Sequence, residues 1–240
     1  MARKPFWVIA ALMTATAVTA QAQFRIGFKG GYNINNVYGV SGGIRTSSVE
    51  ANQPTPEWKM KSGFQFGAVS EIPLTNAFYL QPSVVFKSQG FKDVYVNPDG
   101  KDYKWTFAFY GLQVPVNIQY KVDLGIPDLI FQAGPYIGYG FRGKLKKYVN
   151  NVVKTDQKLK YGEHKSSDIL KPQWDYGLTV GAGVQVSRVQ LSAGYSMSFS
   201  EMTFVKNVSR PYNVKMKTNE IFVTLSFFFG RYESIFPEEE

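Results

Sequence analysis

The chain contains a single histidine, His164, and it stands beside Ser166, Ser167 and Asp168. A base, a nucleophile and an aspartate that orients the base are the parts of an acyl-transfer centre, but a triad is defined by geometry, not by adjacency in sequence. Four near-adjacent residues in a polar connection do not converge on one substrate atom, so the sequence points away from an enzyme and no catalytic residue is assigned. Cysteine is absent, which excludes disulfide frameworks, cysteine zinc sites and thiol nucleophiles. Gly181-Ala182-Gly183 opens a dinucleotide-like string, yet no helix follows it to hold a pyrophosphate. No cofactor or metal is expected.

The remaining candidates are charges. Between Gly143 and Gln173 lie Lys144, Lys146, Lys147, Lys154, Lys158, Lys160, Lys165 and Lys171, against only Asp156, Glu163 and Asp168. The formal net charge is +9; Arg3 and Lys4 carry two of it, and five of the remaining seven sit in this one stretch. A concentration of that kind attracts phosphates and anionic polymers. A second set, Arg25, Lys29, Glu71, Lys87, Asp175 and Glu220, is scattered through the chain at positions that alternate with large apolar residues.

The elements that carry these charges follow from period-two patterning. Phe24, Ile26, Phe28, Tyr32 and Ile34 alternate with Arg25, Gly27, Lys29, Gly31 and Asn33, a strand with one apolar and one polar or glycine face. Seven further runs repeat the pattern, around residues 63–72, 78–87, 105–120, 129–141, 174–186, 189–199 and 220–229. Only the stretch from Trp105 to Tyr110 is apolar on both faces. Eight strands and no helix result. The connections alternate in length: Asn35 to Lys61, Gly90 to Lys104, Arg142 to Gln173 and Ser200 to Met216 are long and polar, whereas Pro73 to Ala77, Val122 to Asp128 and Ser187 to Arg188 are short. Short turns at one end and long loops at the other are the mark of an outer-membrane barrel.

Size decides which face points inward. An eight-stranded barrel is only just wide enough to be filled by side chains, so the bulky faces do not fit inside. The glycines, Ser, Gln and Asn of the opposite faces do fit. A lipocalin-like barrel needs the inverse arrangement, and a sandwich leaves glycines studding its outer surface, where they weaken strands. With the apolar face toward lipid and the polar face inward, the chain reads as all-β: an eight-stranded antiparallel up-and-down transmembrane β-barrel. Arg25, Lys29, Glu71, Lys87, Asp175 and Glu220 are then a candidate interior charge network. The lysine-rich stretch becomes a candidate basic surface loop facing lipopolysaccharide, where nucleic acid is not a partner.

The first 22 residues read as a secretory signal peptide for Sec export: Arg3 and Lys4, an apolar stretch from Phe6 to Val18, and Ala20-Gln21-Ala22 before the cut. Residues 23–229 form the barrel domain and residues 230–240 a short periplasmic tail. Phe229 looks like the aromatic end of the signal read by the barrel-assembly machinery, with Gly230 to Glu240 extending beyond it.

The Ala20-Gln21-Ala22-Gln23-Phe24 cleavage region, Leu80-Gln81-Pro82-Ser83 followed by Ser88-Gln89-Gly90, Leu112-Gln113-Val114-Pro115-Val116, Gly134-Pro135-Tyr136, and Trp174-Asp175-Tyr176-Gly177 running into Gly181-Ala182-Gly183 occur in the order found in one known family. The chain resembles the PorT-like outer-membrane β-barrel proteins of Bacteroidetes. That resemblance implies an eight-stranded barrel in the outer membrane of a Gram-negative bacterium. It does not imply one activity, although the name-giving member serves type IX secretion. Two functions therefore stand as expectations: a non-enzymatic barrel that binds a ligand or partner, or supports the envelope, through its extracellular loops, and a component of a secretion apparatus that meets other subunits.

Overall fold

The computed structural model describes residues 24–41, 57–96, 102–150, 152–161, 169–171, 174–206 and 212–230. The proposed signal peptide, the residues around His164 and the tail beyond Gly230 lie outside them. Eleven strands are described: β1 (Arg25–Ser41), β2 (Glu57–Pro73), β3 (Phe78–Val96), β4 (Asp102–Val122), β5 (Asp128–Val149), β6 (Val152–Tyr161), β7 (Ile169–Lys171), β8 (Trp174–Val186), β9 (Val189–Ser198), β10 (Met202–Lys206) and β11 (Tyr212–Phe229). Eight of them, in the order β1, β2, β3, β4, β5, β8, β9, β11, form an antiparallel ring. The ring closes where β11 pairs with β1, from Ile26 opposite Phe229 up to Tyr38 opposite Lys217. Closure leaves no free edge, the condition for placing a sheet in lipid.

Consecutive residues confirm the orientation argued from size. Phe28 is 65% exposed while its neighbour Lys29 is 7% exposed. Along the ring, Phe66, Ile118, Phe131, Val180, Leu191 and Leu225 are exposed, and Gln81, Gln119, Gln132, Thr179, Gln190 and Ser226 are buried. The apolar surface is a belt, and the polar residues fill the lumen. Inner-face glycines let the strands approach closely. A Cβ on Gly67 would lie 2.0 Å from the Val84 carbonyl oxygen, and one on Gly134 would lie 2.0 Å from that of Val116.

The long connections are shorter than the sequence suggested, because the strands run on past the belt. β4 and β5 have 21 and 22 residues, about twice the 9–11 needed to cross a membrane. Much of what reads as loop between Gly90 and Lys104, Arg142 and Gln173, and Ser200 and Met216 is therefore strand. Above the membrane β5 parts from β8 after Tyr139 opposite Trp174. β6 folds back on β5, β7 runs parallel to β6, and β10 joins β7 to β11. The ring of eight thus widens into a lobe walled by nine strands.

The lobe holds together because its inner face changes character. Val37, Phe91, Phe107, Phe109, Leu145 and Met216 form a buried apolar cluster, with Trp105 packed against it. They occupy the same inward register that carries polar side chains lower down. The apolar-on-both-faces stretch from Trp105 to Tyr110 is explained by this switch: Phe107 and Phe109 point into the cap, while Tyr110 lies outside against Phe86.

At the opposite end the turns are tight. Ser187, with φ of 52°, sits in the two-residue link between β8 and β9, the conformation that primed hairpin turns require.

Candidate functional site

The six interior charges group into two clusters and one lone lysine. At the periplasmic end Glu71 on β2 pairs with Arg25 on β1, and its other oxygen lies 2.8 Å from Lys121 Nζ on β4. All three are at most 5% exposed. Lys121 also donates to Gln185 Oε1 at 2.9 Å. At the extracellular end Lys87 lies 2.8 Å from Glu220 Oε1 and donates to Gln113 Oε1 at 2.7 Å. Asp175 accepts hydrogen bonds from Ser198, Ser200 (2.6 Å) and Tyr136 (3.3 Å). Lys87 stands opposite Gln65, six residues from Glu71 on β2, so about 20 Å of strand separates the clusters.

Lys29 lies between them and donates to Gln81 Oε1 at 3.4 Å. Gln81 in turn donates to Gln190 Oε1 at 3.0 Å. That bond joins β3 to β9, on opposite sides of the eight-stranded ring, so side chains meet across the lumen, two residues above the Ser187–Arg188 turn. Gln119 donates to Gln132 at 3.1 Å in the same polar tier. Higher up, a cavity of about 40 Å³ is lined by Lys87, Gln113, Asp175, Ser198 and, from the cap, Phe109, space for about three waters. The lumen is packed, with an apolar lid above it.

Lys121 belongs to the periplasmic cluster although the alternation argument omitted it. The signal was available: it continues the inner-face series Gln113, Asn117 and Gln119 by one step. Which inward residues touch is a different matter, since alternation fixes a face and leaves the position around the ring open.

The basic stretch is built on strands. Lys144, Lys146 and Lys147 lie on β5, Lys154, Lys158 and Lys160 on β6, and Lys171 on β7; Lys165 lies outside the described residues. Register sorts these lysines by face. Phe91, Phe107 and Leu145 are paired in one rung and buried inside, so the rungs on either side face outward. One outward rung runs Lys59, Lys92, Thr106, Lys146, Asp156, and the next runs Gly90, Ala108, Lys144, Lys158. Lys146 Nζ lies 3.6 Å from Asp156, with both side chains roughly half exposed. Lys147 turns to the inner rim, its ammonium 5.1 Å from the Trp105 ring and 5.2 Å from that of Tyr103.

Electrostatics in the lobe reflect burial and crowding. Burial holds the Lys61 ammonium below its usual value, and nearby Lys92 lowers it further. Asp93, opposite Trp105 in the inward register, is pushed up to about 6 by burial.

A closed ring with a lipid-facing belt, a packed polar lumen and long extensions at one end defines an integral outer-membrane β-barrel. The model of the outer membrane protein beta-barrel domain matches residues 19–203, and the chain belongs to that family. The family places it in the outer membrane of a Gram-negative bacterium. No curated protein matches the chain in sequence. Among solved structures it is similar to the outer membrane protein OprG from Pseudomonas aeruginosa, with 11% identity, a TM-score of 0.46, and coverage of 87% of this chain and 96% of that one. It is similar to Neisserial surface protein A, with 12% identity, a TM-score of 0.37, and coverage of 85% and 97%. It is also similar to the attachment invasion locus protein of Yersinia pestis, with 12% identity, a TM-score of 0.36, and coverage of 86% and 99%.

Proposed function

We propose that this barrel works through its extracellular end, as a non-enzymatic protein that binds an anionic ligand or partner, with its lumen closed. The observation that carries this reading is the cross-lumen bond from Gln81 to Gln190 beneath the apolar cap. A lumen bridged between β3 and β9 toward its periplasmic end and roofed by phenylalanines offers no aqueous path, so what the protein does is done at a surface. The surface best equipped for recognition is the lobe, where the lysines of β5 and β6 gather. The test is retention of dextran sulfate by the detergent-solubilised barrel. Replacing Lys144, Lys146, Lys154 and Lys158 with glutamine should reduce retention at least about fivefold, the change expected when several cations leave one patch. Unchanged retention would remove the lobe from the function.

A second reading, a PorT-like component of a type IX secretion apparatus, draws on one feature of the opposite end. The periplasmic turns expose Leu74 (50%), Leu124 (62%) and Ile126 (83%), apolar side chains that another subunit would cover. Deleting the protein and profiling exported proteins separates the two; unchanged export would eliminate the secretion role.

A further inference from the structure

The outward lysines of β5 have a definable height, and height distinguishes a ligand in the membrane from one in the medium. The top of the lipid belt on this flank is marked by Phe86 and Tyr110, whose rings stack 6.3 Å apart, and by Phe141, which is 48% exposed. Arg142 pairs with Tyr110 at that level. Moving up β5 on the same face, Lys144 is one step and Lys146 two steps above Arg142. Each step is about 7 Å along the strand, or about 5 Å of height at the usual barrel tilt of about 40°. Lys158, paired with Lys144 on the neighbouring strand, lies within about 3 Å of its level at that tilt. On β5 Lys144 and Lys146 therefore stand about 5 Å and about 10 Å above Arg142, within and at the outer edge of the headgroup layer, which is about 5–8 Å thick.

The cation arrangement itself calls for an anion. Lys144 stands directly opposite Lys158. Like charges in directly opposed cross-strand positions repel. The same flank holds Lys61 with its ammonium lowered by burial and by Lys92. Asp156 pairs with Lys146. A phosphate seated between opposed lysines would turn the repulsive pair into two attractive ones.

We propose that the outward rungs on the β2–β6 flank bind phosphate groups of glycolipid headgroups in the outer leaflet, so that the lobe rests on a bound ring of lipid. This rests on the reading that the extracellular end engages anions, and it names the anion as membrane lipid. A soluble polyanion would have no reason to prefer cations at headgroup height, continuous with the aromatic belt.

Native mass spectrometry of the full mature barrel in detergent supplies the test, with bisphosphorylated lipid A and enzymatically dephosphorylated lipid A as probes. The barrel should retain the phosphorylated form preferentially. Substituting Lys92→Gln, Lys144→Gln, Lys146→Gln and Lys158→Gln together should abolish that preference, a drop of about 100-fold or more, since each lysine near an anionic surface is worth a factor of about five. Lys→Arg at the same four positions should preserve it, which guards against a variant that fails to fold. Lys215→Gln with Lys217→Gln, on the β11 flank, should leave it intact. Equal retention of the two lipids by the unmodified barrel, or retention unaffected by the four glutamines, would overturn the proposal. If dextran sulfate still binds in a lysine-dependent way while lipid A phosphates make no difference, the lipid assignment falls and the anion-binding role stands. If neither binds, both fall.

Discussion

Glu71 is the residue on which the periplasmic half of the lumen turns. Its carboxylate faces two cations from different strands, Arg25 on β1 and Lys121 on β4, and it is 1% exposed. Glu71→Gln keeps the shape and removes the carboxylate charge that both buried cations face. Removing one partner of a buried pair costs about 3–5 kcal/mol, because the remaining charge has no solvent to return to. With two cations losing the same carboxylate, the upper part of that range, about 5 kcal/mol, is expected. Lys121→Met is a useful contrast, because it leaves the Arg25–Glu71 pair whole and should cost roughly 1–2 kcal/mol, the scale of a lost hydrogen-bonded partner. The double variant leaves only Arg25 facing the neutral amide, so it should be more stable than Glu71→Gln alone, and the coupling should exceed about 1 kcal/mol, the signature of direct contact. The assay is urea unfolding of the barrel in lipid vesicles, followed by tryptophan fluorescence and by heat-dependent gel mobility. A loss below about 1 kcal/mol for Glu71→Gln, or strict additivity of the two substitutions, would refute the account of the lower lumen.

Further outcomes follow from the lobe and the ring. The raised Asp93 carboxyl means that the folded state binds the proton more tightly than the unfolded chain does. Its contribution to stability is therefore full below pH about 4, declines as pH rises toward about 6, and is lost above that. Asp93→Asn should flatten that slope in a pH series of unfolding midpoints and stabilise the protein at pH 7 by on the order of 1 kcal/mol, allowing for screening of a half-exposed group; a slope unchanged by the substitution would contradict the assignment. Gly134→Val should disrupt β4–β5 packing, because even a Cβ meets the Val116 carbonyl oxygen at 2.0 Å. Overpacking of that kind costs roughly 1–3 kcal/mol, read as a lower unfolding midpoint. Gly30→Val, where a Cβ meets nothing within 4 Å, separates the clash from a general intolerance of glycine replacement and should leave the midpoint within about 0.5 kcal/mol of the parent.

Much of the ring was legible because alternation carries it. Once Phe28 faces lipid, Lys29 must face the lumen, and the same logic runs through each ring strand. What stayed hidden had physical reasons. The lobe was read as loop because its strands lose the lipid-facing apolar series and reverse the pattern, with Phe91, Phe107 and Leu145 inside and Lys92, Lys144 and Lys146 outside; without a membrane beside them, such segments look like polar connections. The Gln81–Gln190 bond joins residues 109 positions apart, and nothing local in either strand announces it. Alternation left the partition of the six charges open, because Glu71 and Glu220 sit at opposite ends of the barrel and each faces cations from strands distant in sequence. The basic stretch showed its charge density, while the opposition of Lys144 to Lys158 emerged only with the register of the β5–β6 hairpin.

The claim that the lumen is closed and the outer end carries the function is tested most directly by electrical recording. The purified barrel, reconstituted in planar lipid bilayers in 1 M KCl (about 3 Å Debye length), should give no stable conductance steps, whereas Gln81→Ala combined with Phe91→Ser, Phe107→Ser and Phe109→Ser should give them. Reproducible conductance steps from the unmodified barrel would contradict the account.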